Sequence, residues 1–196
     1  MNGFTVSLAL VDYIPVIFFI IGFNKLAKCL SNKMNTASKI LFYCGSLMVF
    51  FAGSIKATYK LFLGLKLGEF AWMSNQFFAN QAFGFLFVAI GLTIFKVSNR
   101  KLLGLIPTMG LVGMMVLGLG VMDGVLVSFA KKLKSKSAIV CYILSFVFCL
   151  MMGYLSSKNF EQAYMNWIAQ AINCVGQGLF CLASFKMEKA GLKELQ

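Results

Sequence analysis

The sequence predicts an all-α, polytopic integral membrane protein with six transmembrane helices. Of its 196 residues, 60% are hydrophobic and only 12% are charged, and the mean hydropathy is +0.83. Soluble domains typically contain about 45–50% apolar and about 25% charged residues, so this apolar excess needs lipid as its solvent. The apolar stretches are continuous, without the period-two alternation of barrel strands, and we therefore expect helices.

Six apolar stretches are long enough to cross a bilayer, for which about 20 residues suffice. The predicted spans are Phe4–Phe23, Ile40–Ile55 (extendable through Tyr59), Trp72–Phe95, Leu102–Phe129, Ala138–Leu155 and Tyr164–Phe185. Residue Asp12 interrupts the first stretch and no basic segment precedes it, so we expect a retained span rather than a cleaved signal peptide. The connectors are too short for a soluble domain, so residues 1–196 are predicted to form a single transmembrane domain.

Rare residues recur at matching places, which predicts an internal duplication. Pro15 and Pro107 lie early in spans one and four, and Trp72 and Trp167 open spans three and six. The copies would cover about residues 1–98 and 99–190. Because each copy contains three spans, an odd number, they are predicted to face opposite ways as an inverted repeat. Chance recurrence of interfacial Trp and connector Lys stays the alternative.

The net charge of +12 arises mostly from lysines in the connectors. Scattered connector lysines are typical of contact with lipid headgroups, and we expect no nucleic-acid partner. Six spans would place eight cations on one side of the membrane and ten on the other, so the positive-inside rule leaves the orientation open. Such a near tie fits an inverted repeat, dual topology or a re-entrant segment within Leu102–Phe129. We expect the protein in the plasma or inner membrane.

Amide side chains within the spans are the first candidates for a solute or ion path, because polar groups are costly in hydrocarbon. They are Asn75, Gln76, Asn80 and Gln81 in span three and Asn166, Gln170, Asn173 and Gln177 in span six. The span-six group recurs at intervals of four, three and four residues and so shares one helical face. If the two groups converge, they could bind a neutral or zwitterionic solute. The alternative is interhelical hydrogen bonding, worth about 0.6 kcal/mol on average.

Four charged residues within or beside the spans complete the candidate set. Asp12 lies about mid-span and Asp123 lies near the far end of span four, and each is a candidate proton or cation site. Asp12 is the stronger candidate, whereas Asp123 could instead lean towards the headgroups. Lys56 and Lys60 lie four residues apart at the end of span two. They could clamp a substrate, but snorkelling to the interface is the simpler interpretation.

Neither a cofactor nor a metal ion is expected. The chain has no His and no Cys-x-x-Cys pattern, and five of its six cysteines fall inside apolar stretches, which is typical of packing. Nucleotide-binding and hydrolase motifs are missing too, so we do not expect an enzyme. Gly120 and Gly124 form a Gly-x-x-x-Gly motif that can bring helices together within a protomer or in a homodimer.

Two functions are compatible with these observations. The first is a small membrane channel or carrier that moves a small solute or ion along a path lined by spans three and six, with Asp12 as a coupling or selectivity group. The second is a non-transporting membrane subunit or solute-binding component that docks on a partner protein, because the bare connectors hold nothing that could drive transport. The sequence does not indicate the substrate.

Overall fold

The computed structural model describes residues 5–96, 110–156 and 163–195, and the regular structure in these ranges is α-helical. Five of the helical segments, counting α1 and α2 as one, are long and apolar enough to cross a membrane. The predicted all-α membrane architecture is thus confirmed. The helices are α1 (Val6–Val11), α2 (Tyr13–Leu30), α3 (Thr36–Gly64), α4 (Ala71–Lys96), α5 (Leu111–Lys132), α6 (Lys136–Ser156) and α7 (Ala163–Lys189).

The helix of the first span lacks one backbone hydrogen bond where α1 meets α2, and Pro15 explains why. Proline has no backbone N–H, so Pro15 cannot donate the helical hydrogen bond to the carbonyl of Val11. The missing hydrogen bond separates α1 from α2 at Asp12, but the backbone of Asp12 remains right-handed helical, so Val6–Leu30 forms one span. Asp12 lies on the wall of a cavity.

Three of the predicted spans differ most in length from the helices found. The first span continues past its predicted end at Phe23 to Leu30. Helix α3 begins after Asn35, whose side chain accepts a hydrogen bond from the Ser38 N–H at 2.8 Å, and it continues well past the predicted end at Ile55. Lys56 and Lys60 lower the mean hydropathy of the sequence after Ile55, although both residues belong to the helix. In span four, the described helix begins at Leu111, and Pro107 lies outside the described residues.

The six long helices are arranged as a closed ring. Going round the ring, α2 packs on α3, α3 on α4, α4 on α5, α5 on α6, α6 on α7 and α7 on α2. The most extensive contacts are those of α3 with α4 and of α6 with α7. A ring of this kind places side chains from every helix near the common axis.

Helices α4 and α5 run in the same direction. A Cβ on Gly118 of α5 would contact Phe85 of α4. About three turns further along both helices, the Phe95 and Phe129 rings lie with their centroids 5.8 Å apart. Residue numbers therefore rise together along the two helices, which makes them parallel.

The remaining directions follow from contacts of the same kind. Helices α2 and α3 are antiparallel, because Tyr13 hydrogen-bonds to Thr58 at 2.7 Å while Phe23 lies against Phe42. The pairs α3–α4, α5–α6 and α6–α7 are also antiparallel, and α2 runs parallel to α7. Helices α2, α4, α5 and α7 thus run one way, and α3 and α6 the other.

The predicted inverted topology of the two triplets is therefore wrong. Triplets of three spans invert only if the third and fourth helices are antiparallel, whereas α4 and α5 are parallel. The ends that segment 97–109 joins, Lys96 and Gly110, lie at opposite ends of the ring. Consistently, Trp72 and Trp167 are found at the same end, near the first residues of two helices that run in the same direction. The duplication itself stays a prediction.

The two ends of the ring are named here by their contents. The cavity end holds the first residues of α2, α4, α5 and α7 and the last residues of α3 and α6. The lysine end holds the opposite termini. Between them lies an aromatic layer of buried rings, each at most 4% exposed. The layer consists of Phe19, Phe23, Phe42, Phe85, Tyr142 and Phe180.

Candidate functional site

A cavity of about 170 Å³ lies on the axis of the ring, between the aromatic layer and the cavity end. Its wall receives side chains from all six long helices. Phe19 and Phe85 belong both to this wall and to the aromatic layer, so the layer closes the cavity towards the lysine end. Seven polar or charged side chains line it: Asp12, Lys56, Lys60, Gln81, Gln170, Asn173 and Gln177.

Asp12 and Lys60 form an ion pair on the cavity wall. Asp12 lies where α1 meets α2, and Lys60 lies in the last turns of α3. Their side chains are 6% and 16% exposed, so the pair is largely removed from solvent. The second carboxylate oxygen of Asp12 has no hydrogen-bond partner among the residues that the structure describes. Removing one member of a buried pair leaves an uncompensated charge, which is costly.

Lys56 lies one helical turn before Lys60 and on the same face of α3. Its Nζ is 3.7 Å from the centroid of the Phe77 ring and 5.3 Å from that of Phe78. Within the described ranges, no carboxylate is close enough to form a salt bridge with it. Cation–π contacts stabilise an ammonium by about 0.5–2 kcal/mol. The ammonium group of Lys56 therefore contacts aromatic rings directly, and the Asp12 carboxylate lies nearby without forming a salt bridge with it.

The snorkelling interpretation of these two lysines is wrong. A snorkelling lysine extends its ammonium group to the headgroups, whereas Lys56 and Lys60 reach the interior cavity. Hydropathy could not distinguish the two cases, because a lysine near the end of a span lowers the local average whichever way it faces.

The amide face predicted on span six largely meets the cavity. Gln170, Asn173 and Gln177 of α7 all line it, and the Gln177 amide also contacts the Cys149 sulfur at 3.8 Å. Asn166, one turn earlier, is buried but is not part of the cavity wall. Helical periodicity was sufficient to predict this shared face, because the four residues belong to one continuous helix.

The amides of span three behave differently, and only Gln81 lines the cavity. Asn80 donates a hydrogen bond to Gln76, and both lie in a separate depression against α3. Asn75 is exposed. Successive helical residues differ by about 100° in direction, so the neighbours Asn80 and Gln81 point to different surfaces. The two predicted amide faces thus converge through one residue of span three.

Asp123 is buried in α5, at 4% exposure. Its carboxylate lies near Tyr142 and Cys149 of α6, and neither oxygen has a hydrogen-bond partner in the described part of the chain. The expectation that Asp123 leans towards the headgroups is therefore wrong. It is not among the residues that line the cavity.

Several cavity residues carried no signal in the sequence. The aromatic wall contains Phe50, Phe77 and Phe78, and α5 contributes Met115 and Leu119. In an apolar span, such residues look the same whether they face lipid, a neighbouring helix or a cavity. Only the folded arrangement distinguishes them.

Among the residues that the structure describes, no three acidic or Cys side chains lie close enough together to hold a metal ion. The ligands that the cavity itself offers are ammonium groups, amides and one carboxylate. Comparisons with protein-family models, with curated proteins and with solved structures find no match for this chain.

Proposed function

We propose that the protein is a small membrane carrier that moves a small polar solute along the axis of the helix ring. The observation that supports this most directly is the cavity itself. Seven polar or charged side chains line it among apolar ones, it lies inside a membrane-spanning bundle, it receives side chains from all six long helices, and it is closed at one end.

Polar side chains inside a membrane bundle are costly unless they are paired or solvated. A purely structural bundle could fill the same space with apolar side chains. Here seven polar groups converge instead on one small volume, and such convergence in a pocket is typical of a binding site.

The aromatic layer favours a carrier over an open channel. Phe19 and Phe180 are stacked with their ring centroids 5.8 Å apart, and Phe85 packs edge-on against Phe19. A solute in the cavity could reach the lysine end only after these rings separate. Transport should therefore saturate with solute concentration, as expected when each transfer needs a conformational change.

Uptake into proteoliposomes tests the proposal. The probes are radiolabelled benzenesulfonate, glycine and choline, which cross lipid slowly and represent an anion, a zwitterion and a cation. We expect saturable uptake of at least one probe. Asn173→Leu and Gln177→Leu should each reduce that uptake about tenfold or more, because each removes a hydrogen-bonding group from the cavity wall.

Asn75→Leu is the matched control, since it makes the same type of change at an exposed amide outside the cavity. Uptake by this variant should equal that of the wild type. Thermal unfolding and size-exclusion profiles establish that each variant is folded. If the folded wild type takes up none of the three probes above protein-free liposomes, the proposal is wrong and a non-transporting subunit is favoured.

A further inference from the structure

We infer that the cavity selects small organic anions, with Lys56 as the group that binds the anionic end. This inference rests on the proposed function, because it treats the cavity as a solute site. It adds the chemical class of the solute, which the fold alone does not specify.

The first argument is the charge of the cavity wall. The wall carries two ammonium groups, Lys56 and Lys60, and one carboxylate, Asp12. Because Asp12 is paired with Lys60, one positive charge remains. Helices α4, α5, α6 and α7 contribute only amides and apolar or thiol groups to the wall itself. The buried Asp123 carboxylate of α5 lies outside the wall, near the wall residue Cys149.

The second argument is the environment of Lys56. Its ammonium is held over the Phe77 ring at 3.7 Å while it lines the cavity. An aromatic face attracts a cation but leaves its N–H groups unsatisfied. A carboxylate in the cavity would accept charge-assisted hydrogen bonds from these groups, and such bonds are stronger than those between neutral partners.

The third argument concerns size and the rest of the wall. An engineered cavity of about 150 Å³ in another protein binds benzene, and the present cavity of about 170 Å³ is comparable. The rings of Phe50, Phe77 and Phe78 could surround an apolar group, while the amides of α7 donate to an oxyanion. The geometry therefore points to a monoanion with an apolar body of about the size of benzene.

Three probes of nearly identical shape separate charge from size. They are benzoate, benzamide and benzamidinium, which carry one negative, no and one positive charge at neutral pH. Binding to the purified full-length protein in detergent is measured by isothermal titration calorimetry. We expect benzoate to bind at least tenfold more tightly than benzamide, and benzamidinium to bind more weakly than either.

Substitutions at Lys56 test the assigned residue. Lys56→Gln should remove the preference for benzoate, whereas Lys56→Arg, which keeps the charge, should retain it. Lys28→Gln is the matched control, because it removes an exposed lysine at the lysine end and should leave binding unchanged. If Lys56→Gln does not fold, the comparison of benzoate with benzamide on the wild type still decides the charge class.

The outcomes distinguish this inference from the proposed function. Equal affinity for benzoate and benzamide, or a preference that survives Lys56→Gln, overturns the inference. Selective benzoate binding without uptake of any probe supports anion recognition and contradicts the proposed carrier function. Uptake of choline or glycine without benzoate binding supports the carrier and overturns the anion class.

Discussion

Asp12 lies where α1 meets α2, and its ion-pair partner Lys60 belongs to α3. Because Pro15 has no N–H, the carbonyl of Val11 lacks its helical hydrogen-bond donor. The side chain of Lys60 reaches Asp12 from α3. Because both charges are largely buried, each depends on the other. We therefore expect substitutions of Asp12 and Lys60 to have coupled effects on stability.

This coupling gives a prediction for the pair. Asp12→Asn or Lys60→Gln alone should lower the free energy of unfolding by about 3–5 kcal/mol, because each removes the ion-pair partner of a largely buried charge. The double variant Asp12→Asn/Lys60→Gln should lose less than the two single losses added together. Unfolding by SDS titration in mixed micelles measures all three variants.

The pair Lys25–Glu188 provides the control. Its atoms are 2.8 Å apart, but its side chains are 28% and 24% exposed, and a solvated pair of this kind contributes at most about 1 kcal/mol. Lys25→Gln should therefore have a small effect. Additive losses in the Asp12–Lys60 cycle would contradict the coupling.

At the scale of elements, α3 and α4 approach each other closely along a seam of small residues. A Cβ on Gly45 would lie 2.5 Å from the Gly84 carbonyl oxygen, and a Cβ on Gly84 would lie 2.6 Å from a methyl group of Val49. Further along, the Ser38 hydroxyl donates to the Gly91 carbonyl. Small residues let membrane helices pack backbone against backbone, and this seam fixes α3, with its two cavity lysines, against α4.

Gly45→Ala should therefore be destabilising by about 1–3 kcal/mol, the usual cost of overpacking a tight contact. Gly124→Ala is the matched control, because nothing lies within 4 Å of a Cβ at that position. It should leave stability unchanged or raise it slightly, since Ala favours helix over Gly by about 1 kcal/mol. The same SDS titration measures both variants. Equal effects would contradict the close approach.

The seam also shows which features the sequence could predict. Hydropathy predicted the spans, because transfer into lipid is approximately a sum over local residues. Periodicity predicted the cavity face of α7, because Gln170, Asn173 and Gln177 share one helix. The Gly120–Gly124 motif, by contrast, marked a position without close backbone contact, while Gly45 and Gly84 carried no motif. Contacts between distant helices leave no local pattern.

The lack of a local pattern for contacts between helices also explains why the predicted inverted topology of the two triplets is wrong. Paired Pro and Trp residues indicate a repeat but do not specify how the copies are related. Lys56 and Lys60 resemble interfacial lysines until α2 and α4 enclose them. The direction of α5 depends on its packing against α4, shown by Phe85 beside Gly118, and no local pattern in either helix encodes it.

For the whole molecule, the observed helix directions divide the lysines between the two ends of the ring much less evenly than the six predicted spans did. The cavity end has Lys66 in its α3–α4 turn, and Lys56 and Lys60 face inwards. Twelve of the described lysines lie at the lysine end, where the described acids are Glu188 and Glu194. These lysines are Lys25, Lys28, Lys33, Lys39, Lys96, Lys131, Lys132, Lys134, Lys136, Lys186, Lys189 and Lys193.

An asymmetry of twelve lysines against three orients the protein, because cytoplasmic segments next to membrane spans are enriched in Lys and Arg. We predict that the lysine end is cytoplasmic and that the cavity lies on the opposite side of the aromatic layer. Lys66→Cys and Lys134→Cys are matched probes, since both residues occupy turns with positive φ, at opposite ends of the ring. A membrane-impermeant maleimide should label Lys66→Cys in intact cells, but Lys134→Cys only after permeabilisation, with the wild type measuring background from the native cysteines. The reverse pattern would invert the orientation and place the solute cavity towards the cytoplasm.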